Sequence, residues 1–394
     1  MIPSQRPVAP PSLIDDEQSP PRTGNPDKDR VTMFEVPLSS KEISLQTLQR
    51  YARTGIPDAL RPTYWKLLLG YLPLTPVDWD TFTARKKSEY EQLLKETCEL
   101  DSTGNIICHS EDERRIDVDI PRTLPTLHFF ACDDVDSRNG MPTTFSPTQQ
   151  SLRRVLYTVT TLNKGLGYVQ GMNELVAHLL IAFAGGKQEN INDVVEAESM
   201  FAFQILLGHL GDNFCRALDF DKDAGVTSTI RSYTLLLEHC DPAVFEHLSH
   251  NKVHAEFYAF RWITLLLSQE FQTPDVLCLW DFFFSFGKRL TDALFFTTVA
   301  MIIAIREELL EMNSMSSLLV TLQHYPEEKQ IRDIIDIANS LIWKYGIEQL
   351  EKLRDDERAS SAEVAEELPE SSSVGQRFGK MFTKALGSLR RQPQ

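Results

Sequence analysis

The sequence has no long apolar run. It begins with the polar, proline-rich stretch MIPSQRPVAPP, which lacks the apolar core of a secretory signal. Its longest apolar stretches, such as 294–305, extend for about a dozen residues, whereas a helix that spans a bilayer needs about 20. We therefore expect a cytoplasmic protein without a membrane span.

Cysteine is also scarce, with six residues in 394 and no CxxC pair. In a chain of this size, that pattern is typical of reduced thiols in the cytosol and excludes a disulfide framework. His247, His250 and His254 have the spacing of metal ligands, but no cysteine accompanies them. We expect no metal site.

Positive charge is in deficit over most of the chain. Lys and Arg number 40 and Asp and Glu 56, which gives a formal net charge of −16. Because phosphate backbones repel such a chain, we expect no nucleic-acid partner. The exception is the segment 374–394, which has five basic residues and no acidic one.

Composition divides the chain into four parts. Residues 1–40 begin with many prolines and few aromatics, which predicts a disordered segment. A helical domain is predicted over 41–350. Residues 351–373 carry eight acids against three bases, which favours a solvated linker. A basic amphipathic tail is predicted over 374–394.

Helical signals dominate the central part. Ser146-Pro147-Thr148-Gln149 is a capping box with proline at the first helical position. Apolar residues then recur every three or four positions, at Leu152, Val155, Leu156, Val159 and Leu162. We find no run of alternating strands and no repeat of 30–45 residues. The sequence predicts an all-α domain, and its length favours two helical lobes.

The predicted tail has apolar residues on one helical face and basic residues on the other. The apolar face comprises Val374, Phe378, Met381, Phe382, Ala385, Leu386 and Leu389. This pattern indicates an interfacial membrane helix or a partner-binding helix. Three glycines disfavour the helix, so a basic disordered tail that folds only on contact is the alternative. We favour weak, reversible association with endomembranes or the plasma membrane.

Two segments interrupt the helices, and the first is 116–123. Pro121 ends a short helix, and Arg122 stands just past that end with Asp119 one turn back. Asp119 could orient the guanidinium by a two-pronged contact. The alternative is an ordinary pair of surface charges.

The second interruption is 163–174, where two glycines precede a new helix. Gln170 is expected in the first turn of that helix, where backbone N–H groups are free and an anion is favoured. The alternative is a polar residue that caps its own helix.

Together, in this order, the two segments resemble the signature motifs of the TBC domain family. The motifs are Ile116-x-x-Asp119-x-x-Arg122 and Tyr168-x-Gln170, the latter followed by Gly171-Met172-Asn173. The resemblance covers most of 55–345, and 257–281 looks most like the branch typified by TBC domain family member 13. It implies a two-lobed helical fold and a GTPase-activating protein for Rab-type small GTPases.

The resemblance also implies roles for particular residues. Arg122 would be an arginine finger that contacts the γ-phosphoryl oxygens, and Gln170 a glutamine finger that orients the attacking water. Asp119 would hold Arg122. The two loops would be supported by Ile116, Thr123, Tyr168, Gly171 and Asn173, although Tyr168 could equally be plain core. The fold would be supported by Arg61, Trp65, Trp262, Trp280 and Asp281.

By the same resemblance, the chain would activate a GTP-bound Rab in trans and serve vesicle trafficking, with no hydrolase activity of its own. GTP and Mg²⁺ would belong to the partner, and the chain would need no cofactor. One alternative is a catalytically silent helical scaffold that binds a Rab or another partner. A solenoid adaptor with chance motif matches is disfavoured by the coherent order of the motifs.

Overall fold

The computed structural model describes residues 25–99, 101–102, 106–131, 144–214 and 225–367. Within these ranges every regular element is an α-helix or a short 3₁₀ turn. This confirms the prediction of an all-α fold. The start of the predicted disordered segment, residues 1–24, and the whole predicted tail at 374–394 lie outside the described residues.

Seventeen α-helices occur in the described part of the chain. They are α1 (Pro26–Leu38), α2 (Leu45–Ala52), α3 (Arg61–Leu68), α4 (Trp79–Thr97), α5 (Glu111–Asp119), α6 (Pro147–Leu162), α7 (Met172–Phe183), α8 (Asp193–Phe214), α9 (Gly225–Cys240), α10 (Pro242–His250), α11 (Ala259–Thr264), α12 (Thr273–Phe284), α13 (Leu290–Ala304), α14 (Arg306–Glu311), α15 (Met315–Gln323), α16 (Ile331–Tyr345) and α17 (Gln349–Glu367).

Helix α6 shows how local sequence produces these elements. The Ser146 hydroxyl accepts the Gln149 backbone N–H at 3.3 Å, and the Gln149 side chain accepts the Ser146 N–H at 3.0 Å. The capping box therefore satisfies two backbone donors that would otherwise lack partners. Of the predicted apolar stripe, only Leu162, at the end of the helix, is exposed.

The helices pack in two groups that share one core. Helices α4, α6, α7 and α8 pack against one another, and α9, α11, α12, α13 and α16 form a second group. Helix α12 contacts α2, α3 and α7, and α8 contacts α9, so the groups meet along a broad boundary. Buried apolar side chains form a continuous cluster from Phe34 to Leu350. The groups correspond to the two lobes expected from the length.

The prediction of disorder over 1–40 is wrong from Asn25 onward. Asn25 caps α1, and Phe34 in that helix is fully buried between the rings of Tyr51 and Tyr64. Arg30 donates to the carbonyl oxygen of Gly55 at 2.6 Å. The proline-rich composition of the segment as a whole concealed a short helix that a few strong contacts stabilise.

The predicted linker over 351–373 is also wrong over 351–367, because α17 extends to Glu367. Leu350 is fully buried, and Arg354 Nε donates to the Ser232 hydroxyl on α9 at 2.7 Å. Arg231 pairs with Glu357 at 2.6 Å. Arg354 and the acidic Glu357 thus both contact α9, whereas Glu351, Asp355 and Asp356 are exposed.

Two properties of the described residues concern membranes and metals. None of their helices is both long and apolar enough to cross a bilayer. No group of three or more His, Cys, Asp or Glu side chains among them could hold a metal ion. His247, which the sequence pattern singled out, has its Nε2 at 2.8 Å from the Met312 carbonyl oxygen.

Candidate functional site

The arginine loop follows α5. Ser110 and Glu113 form a capping box at the start of this helix, and Ile116 is fully buried beneath it. A 3₁₀ turn, Ile120–Arg122, continues directly from the helix, with proline at its second position. Arg122 ends this turn with an exposed side chain.

The expected two-pronged contact between Asp119 and Arg122 is not present. Asp119 Oδ2 instead accepts the Tyr168 hydroxyl at 2.9 Å. Burial raises the pKa of the Asp119 carboxyl, while the Tyr168 hydrogen bond and the charge of Arg122 oppose that rise. Arg122 thus acts on Asp119 through its charge, and its guanidinium is left at the surface.

The glutamine loop connects α6 to α7. Gln170 lies in this loop, exposed, and not in the first turn of the helix as the sequence suggested. The reason is Gly171, which adopts φ +104° at the N-cap of α7 and so separates Gln170 from the helix. This backbone angle favours glycine. A Cβ at this position would lie 2.3 Å from Leu265 Cδ2, so a larger residue would also clash.

Asn173 connects the two loops. Its Oδ1 accepts the Gly171 backbone N–H at 3.1 Å, and its Nδ2 donates to Thr123 Oγ1 at 2.8 Å. The Thr123 hydroxyl in turn donates to the Asp119 carbonyl at 2.9 Å. The Tyr168 hydroxyl lies 3.0 Å from Asn173 Oδ1 and 2.9 Å from Asp119 Oδ2, and its one proton can serve either acceptor. We call these four residues, Asp119, Thr123, Tyr168 and Asn173, the loop network.

The loop network ties the residues that follow Arg122 and Gln170 to one buried amide group. Thr123 directly follows Arg122, and Gly171 directly follows Gln170. Thr123 and Gly171 both hydrogen-bond to the side chain of Asn173, which is 5% exposed. Because a buried amide with all its partners fixes the groups around it, the two loops cannot shift independently.

Tyr168 is buried and links α5 to the glutamine loop twice. Its backbone N–H donates to Asp112 Oδ2 at 3.2 Å, and its hydroxyl reaches Asp119. Burial, together with the neighbouring Asp119 carboxylate, holds the pKa of the Tyr168 hydroxyl far above its ordinary value. The hydroxyl therefore remains a donor throughout the physiological pH range. Tyr168 is thus a buried core residue that also supports the two loops, so both roles considered from the sequence apply to it.

Glu174, in the first turn of α7, is a buried acid that the motifs did not single out. Burial raises its pKa to about 7, while the Gln269 side chain opposes and the charge of Asp119 reinforces this rise. Its Oε2 has no hydrogen-bond partner among the described residues. An unpartnered buried oxygen is tolerated better on a neutral carboxylic acid than on a carboxylate. In the sequence, the only indication that Glu174 is buried is the run of mostly apolar residues that follows it.

A second buried network joins the early and late parts of the chain. Asp281 is fully buried and accepts Arg61 Nε at 3.0 Å, Trp65 Nε1 at 2.7 Å and the Ile56 backbone N–H at 2.8 Å. Burial raises the pKa of Asp281 to about 6 even though Arg61 opposes the rise. This network anchors α3 against α12.

The remaining tryptophans that the sequence assigned to the fold, Trp262 and Trp280, are fully buried. Trp280 Nε1 donates to the Leu266 carbonyl at 3.0 Å. The centroid of its ring lies 5.7 Å from the centroid of the Trp65 ring. Both tryptophans are therefore part of the core, whereas Arg122 and Gln170 are exposed.

Comparison with known proteins identifies a family. The model of the Rab-GTPase-TBC domain matches residues 58–310. TBC1 domain family member 13 of Mus musculus is 28% identical over 72% of this chain and 91% of its own length. GTPase-activating protein GYP1 of Saccharomyces cerevisiae is 29% identical over 65% of this chain and 40% of its own length. The crystal structure of the Ypt/Rab-GAP domain of Gyp1p aligns with a TM-score of 0.68 and 27% identity, covering 81% of this chain and 99% of that one.

Proposed function

The chain belongs to the Rab-GTPase-TBC domain family, and we propose that it accelerates GTP hydrolysis by a Rab-type GTPase in its GTP-bound form. Arg122 and Gln170 act in trans as the arginine and glutamine fingers. The GTP and the Mg²⁺ are held by the GTPase. The activator contributes no nucleotide chemistry of its own.

The chemistry of hydrolysis explains why these two residue types suffice. Charge spreads over the γ-phosphoryl oxygens in the transition state, and a water attacks in line. An arginine contacts two oxygens through its planar fork and is always charged. Such a finger is worth about 10³–10⁵ in rate, or about 4–7 kcal/mol. A glutamine can orient the attacking water, because its amide oxygen accepts a hydrogen bond from the water while its nitrogen donates one.

The loop network is the observation that carries this proposal. The two side chains stand exposed, and each is followed directly by a residue that binds Asn173. An arginine alone on a surface loop is common, but here the residues that follow the arginine and the glutamine both hydrogen-bond to one buried amide, which pre-organises the two loops. Pre-organisation of charged and polar groups is what lowers the barrier of such a reaction.

The proposal is tested by measuring GTP hydrolysis across a panel of purified, GTP-loaded Rabs. At least one Rab should respond. Arg122→Ala should then lose about 10³-fold or more of the stimulation. Arg122→Lys should lose most of it too, because an ammonium group lacks the two-pronged fork. Gln170→Ala should be comparably damaging.

Arg332→Ala is the matched control, because Arg332 is an exposed arginine on α16. It should retain full activity, and all variants should keep the wild-type melting temperature. Full stimulation by Arg122→Ala would remove Arg122 from the mechanism. Tight binding of a GTP-loaded Rab without any acceleration by the wild-type chain would instead establish the silent scaffold.

We also propose that residues 374–394 give the chain a weak, reversible affinity for membranes. Five basic residues and an apolar face would together contact an anionic surface. Co-sedimentation with vesicles that contain phosphatidylserine measures this affinity. Binding that is unchanged after deletion of 374–394 would contradict the proposal.

A further inference from the structure

Leu265 lies directly against the glutamine loop, although it belongs to the other group of helices. It follows α11 and is 7% exposed. Its Cδ2 occupies the space that a Cβ on Gly171 would need, at 2.3 Å from the ideal Cβ position. The side chain of Leu265 is thus in close contact with the backbone of the residue after Gln170.

The backbone that presents Leu265 is strained. Leu266 and Leu267 adopt φ +49° and +61°, in the left-handed region that side chains with a Cβ disfavour. Both are fully buried. Such a conformation persists only where the surrounding structure imposes it, and such residues cluster at functional sites.

Three hydrogen bonds impose it here. The Leu266 N–H donates to the Ile263 carbonyl at 3.3 Å, and the Leu267 N–H donates to the Trp262 carbonyl at 2.9 Å. Trp280 Nε1 donates to the Leu266 carbonyl at 3.0 Å. Because Trp262 and Trp280 are fully buried, the core of the second helix group holds this turn and with it the position of Leu265.

We infer that Leu265 is a positioning residue that keeps Gln170 in its productive orientation. The inference rests on the proposed function of Gln170. Asn173 holds Gly171 through its backbone N–H, and Leu265 fills the space where a Cβ on Gly171 would lie. A glycine has wide conformational freedom, so without the leucine methyl groups Gly171 and the residue before it would sample many arrangements.

The test is a double-mutant cycle between Leu265→Ala and Gln170→Ala. The readouts are kcat and KM for stimulated hydrolysis of the Rab that responds most strongly. Leu265→Ala should lower kcat about 10- to 100-fold with KM changed less than about threefold, because a finger displaced by about 1 Å loses transition-state contacts. The double variant should be no slower than Gln170→Ala alone, because Leu265 acts through Gln170.

Three further variants separate positioning from general stability. Leu265→Met conserves volume and should keep most of kcat. Leu265→Val, a smaller truncation, replaces the alanine variant in the cycle if that variant does not fold. Leu318→Ala removes a fully buried leucine from α15, and it should lower the melting temperature while leaving kcat unchanged.

The outcomes distinguish this inference from the proposed function. Full activity of Gln170→Ala would refute the finger role, and this inference with it. Loss of activity in Gln170→Ala beside wild-type kcat in Leu265→Ala would refute only the positioning role. Multiplicative losses in the double variant, or an equal fall of kcat in Leu318→Ala, would also overturn it.

Discussion

Substitution of Tyr168 by phenylalanine removes one hydroxyl from the centre of the loop network and changes little else. The ring, which is 3% exposed, keeps its packing. The hydroxyl contacts with Asp119 Oδ2 at 2.9 Å and Asn173 Oδ1 at 3.0 Å disappear. The Asp119 carboxyl remains buried, which raises its pKa, and it loses the Tyr168 hydrogen bond that opposes this rise.

The magnitude of the effect can be worked out in two parts. Loss of a hydrogen bond to a charged group costs about 1.5–3 kcal/mol of stability. The same loss leaves Asn173 to connect Thr123 with Gly171 and loosens the arginine loop relative to the glutamine loop. If the fingers drift by about 1 Å, stimulated hydrolysis falls about 100-fold, which corresponds to about 2.7 kcal/mol in the barrier. We therefore expect kcat to fall about 10- to 100-fold and KM to stay within about threefold.

Tyr64→Phe is the matched control for this prediction. The Tyr64 side chain is fully buried, and its hydroxyl donates to the Phe34 carbonyl at 2.8 Å, at the contact between α1 and α3. Its removal should cost about 0.5–1.5 kcal/mol of stability and leave kcat unchanged. Stability is measured by urea denaturation and kcat by phosphate release from a GTP-loaded Rab. Wild-type kcat in Tyr168→Phe, or equal losses in both variants, would refute the reasoning.

Three further predictions concern stability. Asp281→Asn should lower the free energy of unfolding by about 3–5 kcal/mol at pH 7, because Arg61 loses its buried counter-charge and keeps only the exposed Asp58. A loss below about 1 kcal/mol in urea denaturation would contradict this. The pKa of Glu174 is about 7 in the folded protein, above its ordinary 4.5, so the folded state holds this proton more tightly and stability falls as the pH rises from about 4.5 to 7. Glu174→Gln should therefore lose less stability than the wild type between pH 5 and pH 8, by on the order of 2 kcal/mol, and parallel pH profiles of the two proteins would count against it. Phe34→Ala should cost about 3–5 kcal/mol if α1 is part of the core, and an unchanged melting temperature would show that it is not.

The local features of the fold could be predicted from the sequence because they depend on neighbours within a few positions. The capping box at Ser146 and Gln149 and the buried stripe of α6 both occur where the pattern placed them. Helical periodicity and cap chemistry act over three or four residues. Average composition was a poorer guide, since it concealed Phe34 in α1 and Leu350 at the start of α17.

The sequence by itself determined the all-α class, the family and the two loops that carry Arg122 and Gln170. Only the tertiary structure decided which residues hold those loops. Asp119 bonds to Tyr168 instead of Arg122, and Leu265 packs on Gly171 from a helix group more than 90 positions away in the chain. Such contacts depend on how separate helices pack, and no spacing within either segment encodes that packing. The apolar run that contains Leu265 looks the same in sequence as any other stretch of the core.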